Sequence, residues 1–349
     1  MTKASVTIII PTYNRAQIVT KSINSARYQS YKFINILVLD NHSTDDTEEV
    51  VKKIIDIDDR VTYIKHSENI GAHNNFNHGL ATVESDYFCF LSDDDLLLPD
   101  FLTNALKDFD RHEDIKMAIS EVEYINKNYD HMGFSNSNLR QGYFKARCGL
   151  IEMIKSLGRG PTWTGILFKS DVISNVGLLD NNVGDASDFD FIYKYASLYS
   201  FCVNAKVGAI FLNHKNSSSS KASFNSVWPS WLNMIENITS NKNIDKEFRE
   251  QFTKIINEQL SEKIYYFAKQ ALKENNLILS LKAISAYKDN NIKNNRKFFT
   301  LKSIYYLIYF FPIASHGILF MLKIKNILSS LRPGPKNKKS IHISYIKNL

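Results

Sequence analysis

Three consecutive aspartates, Asp93, Asp94 and Asp95, are the residues of this chain most clearly suited to chemistry. They follow an apolar, aromatic run at 87–91 that predicts a buried strand. Carboxylates crowded where a core strand reaches the surface repel one another and need a compensating cation. A hard divalent metal that also bridges substrate phosphates would supply that charge. Considered alone, the three residues could equally form a solvated acidic turn that caps the next helix.

The elements that would position these acids alternate between strand and helix up to about residue 120. Such alternation predicts a parallel sheet with helices on both faces. Ligands bind these sheets at the carboxyl ends of the strands, and the polar clusters of this sequence fall at those ends. We expect strands at 6–10, 34–39, 61–65, 87–91, 117–124, 164–168 and 207–212, and helices at 15–29, 46–55, 74–81, 99–110, 148–157, 188–198 and through much of 228–287.

Four motifs follow the first four strands in order. They are Pro-Thr-Tyr-Asn-Arg at 11–15, Asp-Asn-His-Ser-Thr-Asp-Asp at 40–46, the Asn- and His-rich stretch at 69–80, and the acidic cluster at 93–95. Each motif is weak alone. Together, in this order and spacing, they resemble the family-2 glycosyltransferases of the GT-A fold, over roughly residues 4 to 215. The resemblance implies a Rossmann-like α/β fold with a mostly parallel sheet, and a helical appendage after it.

The resemblance also implies a nucleotide-sugar site. Asp40 would accept a hydrogen bond from N3–H of uracil, and Tyr13 would stack on or flank the base. Asn41 stands where the family often has a second acid, which bears on the ribose or uracil preference. The remaining donor-side residues implied are Pro11 and Thr12 in the nucleoside wall, Arg15 beside them, Asn69 and Gly71 in the nucleotide cleft, and Asp93 and Asp94 at the ribose and diphosphate.

The acidic cluster corresponds to the family's Asp-X-Asp, which holds Mn²⁺ or Mg²⁺ on the donor diphosphate. Read directly, Asp93 and Asp95 are its two acids; counted back from Pro99, they fall on Ser92 and Asp94. We expect Asp94 or Asp95 to bind the metal, and Asp93 to support the ribose and the water shell. His214, after the last strand, would be a third ligand or a phosphate donor, or else a histidine without a role in the site.

On the acceptor side, the resemblance assigns the general base to Asp188, which would deprotonate the attacking hydroxyl. The alternative is that Asp188 only caps its helix, with Asp185 and Asp190 as other candidate bases. Ser187 replaces a glutamate of the family. Trp163 would stack on a sugar ring or belong to the core, and Asp190 would also contact the acceptor.

Composition limits the class and the location of the protein. With 349 residues and 44% hydrophobic content, the chain is long enough for one large domain and an appendage. Its three cysteines are far apart and show neither zinc spacing nor a disulfide framework, which favours a reducing cytoplasm. The first residues run directly into a strand, so we expect no signal peptide.

The last third of the chain is strongly basic. Residues 241–349 contain 20 Lys and Arg against 7 Asp and Glu. An aromatic, apolar stretch at 304–322, interrupted by Pro312 and Gly317, lies within this region. We interpret it as an amphipathic or re-entrant anchor on anionic lipid at the inner face of the cytoplasmic membrane. The alternative is a helical appendage that packs on the catalytic domain or forms a homodimer interface. No motif for nucleic acid accompanies the charge.

The sequence therefore predicts a catalytic domain at 1–225, with a nucleotide-sugar half to about 115 and an acceptor half after it, and a helical, basic region at 226–349. The predicted reaction is metal-dependent, inverting transfer of a sugar from a UDP-sugar to a hydroxyl of a glycan or polyprenyl-linked oligosaccharide, in bacterial surface polysaccharide synthesis. The rivals are a nucleotidyltransferase acting on sugar phosphates, and a non-catalytic glycan-binding or scaffold protein.

Overall fold

A computed structural model describes residues 3–135, 138–155, 161–214, 223–273, 276–289, 303, 306 and 338–349. The chain divides into two compact units. The first comprises residues 1–221, 229–245 and 339–349, and the second comprises 222–228 and 246–338. The predicted boundary at residue 225 stays a prediction.

The first unit is built on one mixed sheet. In the described residues the strands are β1 (Val6–Thr12), β2 (Ile34–Asp40), β3 (Val61–Lys65), β4 (Tyr87–Phe90), β5 (Leu96–Leu97), β6 (Ile115–Asn126), β7 (His131–Phe134), β8 (Gly142–Phe144), β9 (Ile166–Lys169) and β10 (Ser200–Asn213). Their order is β3-β2-β1-β4-β9-β6-β10-β5, with β7 beside β6 and β8 beside β10.

The sheet is parallel where the nucleotide site was predicted. Strands β1 to β4 pair in parallel, and β6 pairs in parallel with β10. Strand β9 joins these two parts and is antiparallel to both of its neighbours. The carboxyl ends of β1, β2 and β4 therefore meet at one edge, as the predicted α/β fold requires.

Helices cover both faces of the sheet in its parallel part. The helices of the described residues are α1 (Ala16–Arg27), α2 (Thr47–Ile55), α3 (Ala72–Ala81), α4 (Phe101–Arg111), α5 (Cys148–Lys155), α6 (Ile173–Val176), α7 (Ser187–Leu198), α8 (Phe224–Ser240), α9 (Lys246–Lys273), α10 (Leu277–Asp289) and α11 (Ile343–Asn348).

The burial of β1 explains why the first strand reads as a continuous apolar run. All seven of its residues are buried. Ile8 and Ile10 pack in a core cluster with Val19 and Ile23 of α1. On the opposite face, Gly79 of α3 lies so close to Ile9 that a Cβ there would meet its side chain at 2.6 Å. A strand buried on both faces has no need of polar alternation.

The described part of the second unit is helical. Phe224 at the start of α8 packs in a cluster with Ile264, Ala268 and Leu272 of α9 and Ala283 and Ile284 of α10. The predicted anchor at 304–322 lies outside the described residues apart from Tyr306. In the parts of the chain that the structure describes, no helix combines the length and the apolarity needed to span a bilayer.

The last eleven residues, 339–349, pack on the first unit; we call them the C-terminal strap. Ile346 of α11 is buried and belongs to a cluster with Leu96, Leu98, Ile125 and Ile210. Polar contacts hold both ends of the strap: the Ser340 hydroxyl donates to the buried Glu123 at 2.7 Å, and the Tyr345 hydroxyl donates to the Leu97 carbonyl at 2.8 Å.

Candidate active site

Thr12 and Asp93 join the ends of β1 and β4. The Thr12 hydroxyl donates to Asp93 Oδ2 at 2.8 Å, and Thr12 lies opposite Asp40 in the parallel register of β1 and β2. Pro11 is buried beside Thr12, whereas Tyr13 is 45% exposed. The residues of the predicted nucleoside wall therefore lie along one edge of the sheet, at the ends of β1 and β4, which we call the donor edge. The exposed ring of Tyr13 at this edge is accessible to a base.

Asp93 lies in an electrostatically strained position. Burial, together with the neighbouring charge of Asp94, raises the pKa of Asp93 to about 6. The Thr12 hydroxyl and the Arg15 guanidinium oppose this shift, and the Arg15 Nε lies 3.9 Å from Asp93 Oδ2. A buried carboxylate held against a second acid favours the approach of a cation.

Asp94 faces the residue that follows β10. His214 Nε2 lies 2.9 Å from Asp94 Oδ2, and both side chains are partly exposed. Residues 94 and 214 are 120 positions apart in the sequence. The structure thus brings together the predicted pair of an acid and a histidine.

Asp95 points into the protein instead. Its Oδ2 accepts a hydrogen bond from the Thr164 hydroxyl at 2.8 Å, and its Oδ1 accepts from the Leu212 N–H at 3.2 Å. The residue is 1% exposed, and burial raises the pKa of Asp95 well above its usual range. Asp95 therefore ties the acidic turn to β10 and to the segment before β9.

This geometry bears on the predicted metal ligands Asp94, Asp95 and His214. In the described part of the chain, no group of three or more His, Cys, Asp or Glu side chains is arranged to hold a metal ion. Asp94 and His214 are adjacent, but protein donors hold both oxygens of Asp95. The assignment of Asp95 as a direct ligand stays a prediction, and it would require Asp95 to break two buried hydrogen bonds to reach a metal.

Asp40 is the last residue of β2 and lies opposite Thr12 of β1, next to the donor edge. It is fully buried; its Oδ1 accepts from the Ser43 N–H at 2.7 Å, and its Oδ2 accepts from the Tyr63 hydroxyl. Burial and the bond to Asp40 raise the pKa of Tyr63, so this phenol stays protonated as a donor. The uracil contact of Asp40 stays a prediction that requires movement of these covering groups.

The loop at 69–71 leads from β3 into α3. Gly71 has φ +82°, a left-handed conformation that favours glycine. The Asn69 side-chain oxygen accepts from the Gly71 N–H at 3.0 Å and from the Asn41 amide at 2.9 Å. Both predicted cleft residues therefore lie in one ordered turn.

Helix α3 also holds the segment that carries Asp188. Asn77 makes two hydrogen bonds with the backbone of Leu179, at 2.8 and 2.9 Å. His73 Nε2 lies 2.6 Å from the Ser187 hydroxyl and 3.1 Å from the Gly184 carbonyl oxygen. Because α3 begins at the donor edge, these contacts place the first turn of α7 beside that edge.

Asp188 lies in the first turn of α7 and is half-buried. Its Oδ1 accepts from the Phe189 N–H at 2.8 Å. That contact, made by one carboxylate oxygen, fits the helix-cap interpretation in part. The assignment of Asp188 as base stays a prediction.

The two predicted acceptor contacts differ in their surroundings. Trp163 is half-buried and packs on Phe76 and Phe90, with ring centroids 4.4 and 5.0 Å apart, so one part of the ring belongs to the core. Asp190 is fully buried, with Lys194 Nζ 2.6 Å from its Oδ2. The acceptor contact of Asp190 stays a prediction, and its carboxylate would have to leave this internal ion pair to make it.

Several residues that shape this site carried no signal in the sequence. Tyr63 covers Asp40, Thr164 orients Asp95, and His73 fastens α7. Each acts on a residue between 23 and 114 positions away. Only the three-dimensional fold brings such pairs together.

Most of this site, but not His214, lies in a part of the chain that matches a known family. Residues 7–171 match the model described as Glycosyl transferase family 2. The family-2 glycosyltransferase match is confined to these residues, just under half of the chain. The match covers β1 to β9, and it therefore includes the acidic cluster, Asp40 and the loop at 69–71.

Curated relatives of the glycosyltransferase domain are bacterial and archaeal. Uncharacterized glycosyltransferases of Rickettsia typhi and Rickettsia prowazekii are each 26% identical over 211 residues, which is 60% of this chain and 61% of theirs. The GalNAc(5)-diNAcBac-PP-undecaprenol beta-1,3-glucosyltransferase of Campylobacter jejuni is 36% identical over 101 residues, 29% of this chain and 33% of that protein. The chain thus spans about three fifths of the length of the Rickettsia relatives.

Solved structures confirm the predicted GT-A fold. S. aureus TarS 1-349 in complex with UDP-GlcNAc superposes with a TM-score of 0.65 and 16% identity, covering 92% of each chain. The mannosyltransferase PcManGT from Pyrobaculum calidifontis, in complex with GDP-Man and Mn²⁺, superposes with a TM-score of 0.51 and 16% identity, covering 93% of this chain and 87% of the other.

Proposed function

We propose that this protein is a metal-dependent, inverting glycosyltransferase. It would move a sugar from a UDP-sugar to a hydroxyl of a glycan or a lipid-linked oligosaccharide. The observation that carries the proposal is the donor edge, where Thr12, Asp93, Asp94 and His214 meet at the ends of three strands. A UDP-GlcNAc complex and a GDP-Man and Mn²⁺ complex among the structural neighbours support the same donor class.

The residues at this edge fit a divalent cation. Asp94 and His214 offer an oxygen and a nitrogen 2.9 Å apart, and Asp93 lies next to Asp94 with its pKa raised to about 6 by burial and by that neighbouring charge. Carboxylate donors suit Mn²⁺ and Mg²⁺, whereas an imidazole ligand suits transition metals better than Mg²⁺. Asp94 would hold the metal, with His214 as a second ligand. When bound, the metal would offset the charge of the departing diphosphate.

The chain's own groups supply the remaining steps. Tyr13 offers an exposed ring for the base, and Arg15 carries a positive charge near Asp93. Asp188 would accept the proton of the acceptor hydroxyl as that oxygen attacks the anomeric carbon. Attack from the side opposite to the nucleotide inverts the anomeric centre.

The acceptor and the location belong to the same proposal. The Campylobacter relative is named for an undecaprenol-linked acceptor, and the last third of this chain carries 20 basic against 7 acidic residues. We propose a polyprenyl-linked acceptor and peripheral contact with anionic lipid at the inner face of the membrane. A homodimer through the basic region is the competing use of that surface.

The first test is donor binding. The protein would be titrated with UDP, UDP-sugars and GDP-Man, each with and without Mn²⁺, by calorimetry and thermal shift. We expect binding of UDP and UDP-sugars that is lost with chelator. Preference for GDP-Man would overturn the UDP assignment, and absence of binding to every nucleotide would overturn the function.

The second test addresses the base. Asp188→Asn should lower transfer about 10²- to 10⁴-fold, the typical contribution of a positioned base, and it should leave UDP affinity within about twofold. The control is Asp171→Asn, because Asp171 is an exposed aspartate in a surface ion pair with Lys116. Full turnover by Asp188→Asn would move the base elsewhere.

A further inference from the structure

Asn41 lies between the two halves of the proposed nucleotide site. It follows the buried Asp40 at the end of β2 and is itself buried. Its backbone N–H donates to the Thr12 carbonyl at 2.9 Å, on the nucleoside wall. Its side chain reaches the opposite way, to the loop before α3.

Both ends of the Asn41 amide are used on that loop. Its Oδ1 accepts from the Ile70 N–H at 2.9 Å, and its Nδ2 donates to Asn69 Oδ1 at 2.9 Å. The same Asn69 oxygen accepts from the Gly71 N–H at 3.0 Å. Three hydrogen bonds therefore fix the turn where Gly71 adopts φ +82°.

The backbone donors fix the orientation of both amides. The Ile70 N–H needs an oxygen, so the Asn41 nitrogen must face Asn69. The Gly71 N–H also needs an oxygen, so Asn69 must present its oxygen to Asn41. Of these three hydrogen bonds, two are donated by backbone N–H groups, and the third is donated by the Asn41 side-chain amide to the Asn69 oxygen.

We propose that Asn41 is a positioning residue that holds the 69–71 loop in the shape that binds the nucleotide, and that the hydrogen bonds of this chain require a neutral amide here, although the family often has an acid at this position. This inference rests on the proposed nucleotide site. An aspartate at position 41 would place an oxygen against the Asn69 oxygen, next to the buried carboxylate of Asp40. The loop could escape only by turning the Asn69 amide, which would leave the Gly71 N–H without its acceptor.

The two partners should therefore respond oppositely to the same chemical change. Asn69→Asp keeps an acceptor for both N–H groups that contact it, so the loop should keep its order. Asn41→Asp removes a donor that nothing else in the bond chain replaces. A residue that merely filled space would show no such asymmetry, because aspartate and asparagine have nearly the same shape.

The experiment compares four single variants with the wild-type protein. Hydrogen exchange of the peptide that contains Ile70 and Gly71 is measured without ligand, and the affinity for UDP with Mn²⁺ is measured by calorimetry. Asn41→Asp should exchange at least about tenfold faster in that peptide and bind UDP about 5- to 50-fold more weakly, the cost expected of one or two lost hydrogen bonds. Asn41→Ala loses both bonds without the repulsion and should lie between it and the wild-type protein.

Two control variants separate the positioning role of Asn41 from other effects of substitution. Asn69→Asp should leave the exchange of the loop within about twofold. Asn35→Asp changes the net charge equally at an exposed position on β2 and should alter neither measurement. Equal exchange in Asn41→Asp, Asn69→Asp and the wild-type protein would overturn the inference. Failure of the wild-type protein to bind any nucleotide would overturn the proposed function instead. The hydrogen-exchange data would still decide whether Asn41 holds the 69–71 loop.

Discussion

The C-terminal strap offers a sharp test of how the donor edge is supported, because it contains two isoleucines in opposite surroundings. Ile346 is 3% exposed and packs on Leu96, Leu98, Ile125 and Ile210. Ile341 is 85% exposed. Truncating a buried isoleucine to alanine typically costs about 2–5 kcal/mol. We expect the lower half of that range for Ile346→Ala, since α11 is short and can settle into the space.

The structure also predicts that the lost packing in Ile346→Ala affects the donor edge. Leu96 is the residue after Asp95, and Leu212, which packs against the same cluster, lies two positions before His214. Loosening the cluster should therefore weaken the affinity for UDP with Mn²⁺ as well as the fold. For a unit of this size, about 2–3 kcal/mol corresponds to a fall in Tm of roughly 4–12 °C.

The assay is thermal unfolding followed by circular dichroism, with UDP affinity measured at 20 °C below the Tm of each variant. Ile341→Ala is the matched control and should shift Tm by no more than about 2 °C, as surface substitutions usually do. Equal shifts in the two variants would refute the packing argument. A lower Tm for Ile346→Ala with unchanged affinity would refute its link to the donor edge.

Three further predictions concern single side chains of the site. Asp94→Asn should abolish the Mn²⁺ dependence of UDP binding at nearly unchanged Tm. Asp95→Asn should instead lower Tm, because the buried hydrogen bonds of Asp95 join three parts of the unit. The reverse pattern would favour Asp95 as the metal ligand. His73→Gln, which can keep a polar nitrogen near the Nε2 position, should retain more transfer activity than His73→Ala at equal donor affinity, and equal activities would contradict its role in positioning α7. Burial raises the pKa of Asp190 above 3.8, and Lys194 opposes this shift. Lys194→Met should therefore raise the pKa of Asp190 further, so that the free energy of unfolding declines more steeply as pH rises above about 4. Parallel curves of unfolding free energy against pH for the variant and the wild-type protein would contradict this.

The sequence alone predicts the parallel half of the sheet because local signals agree there. Strand β1 is buried throughout and mostly apolar, and the polar motifs begin where the strands end. The acidic cluster could be placed at a strand end for the same reason. Such signals lie within a few residues of the feature that they predict.

Features that depend on distant partners escaped prediction. Strand β10 begins at Ser200 rather than at 207, because irregular pairing between Val203 and Val207 interrupts its pattern. The two-residue strand β5 exists only because β10 pairs with it. Asp93, Asp94 and Asp95 are identical in type, yet Thr12, His214 and Thr164, all distant in sequence, give each a different environment.

The C-terminal strap also has a consequence for the order in which the molecule can be completed. The first compact unit is discontinuous, and its last portion is separated from the remainder by residues 246–338. During synthesis, the hydrophobic cluster around Leu96 and Ile210 cannot pack against Ile346 until residues 246–338 have been translated. Until then Leu96, Leu98 and Ile125 lack one apolar neighbour. A nascent chain halted before residue 339 would present this incomplete surface.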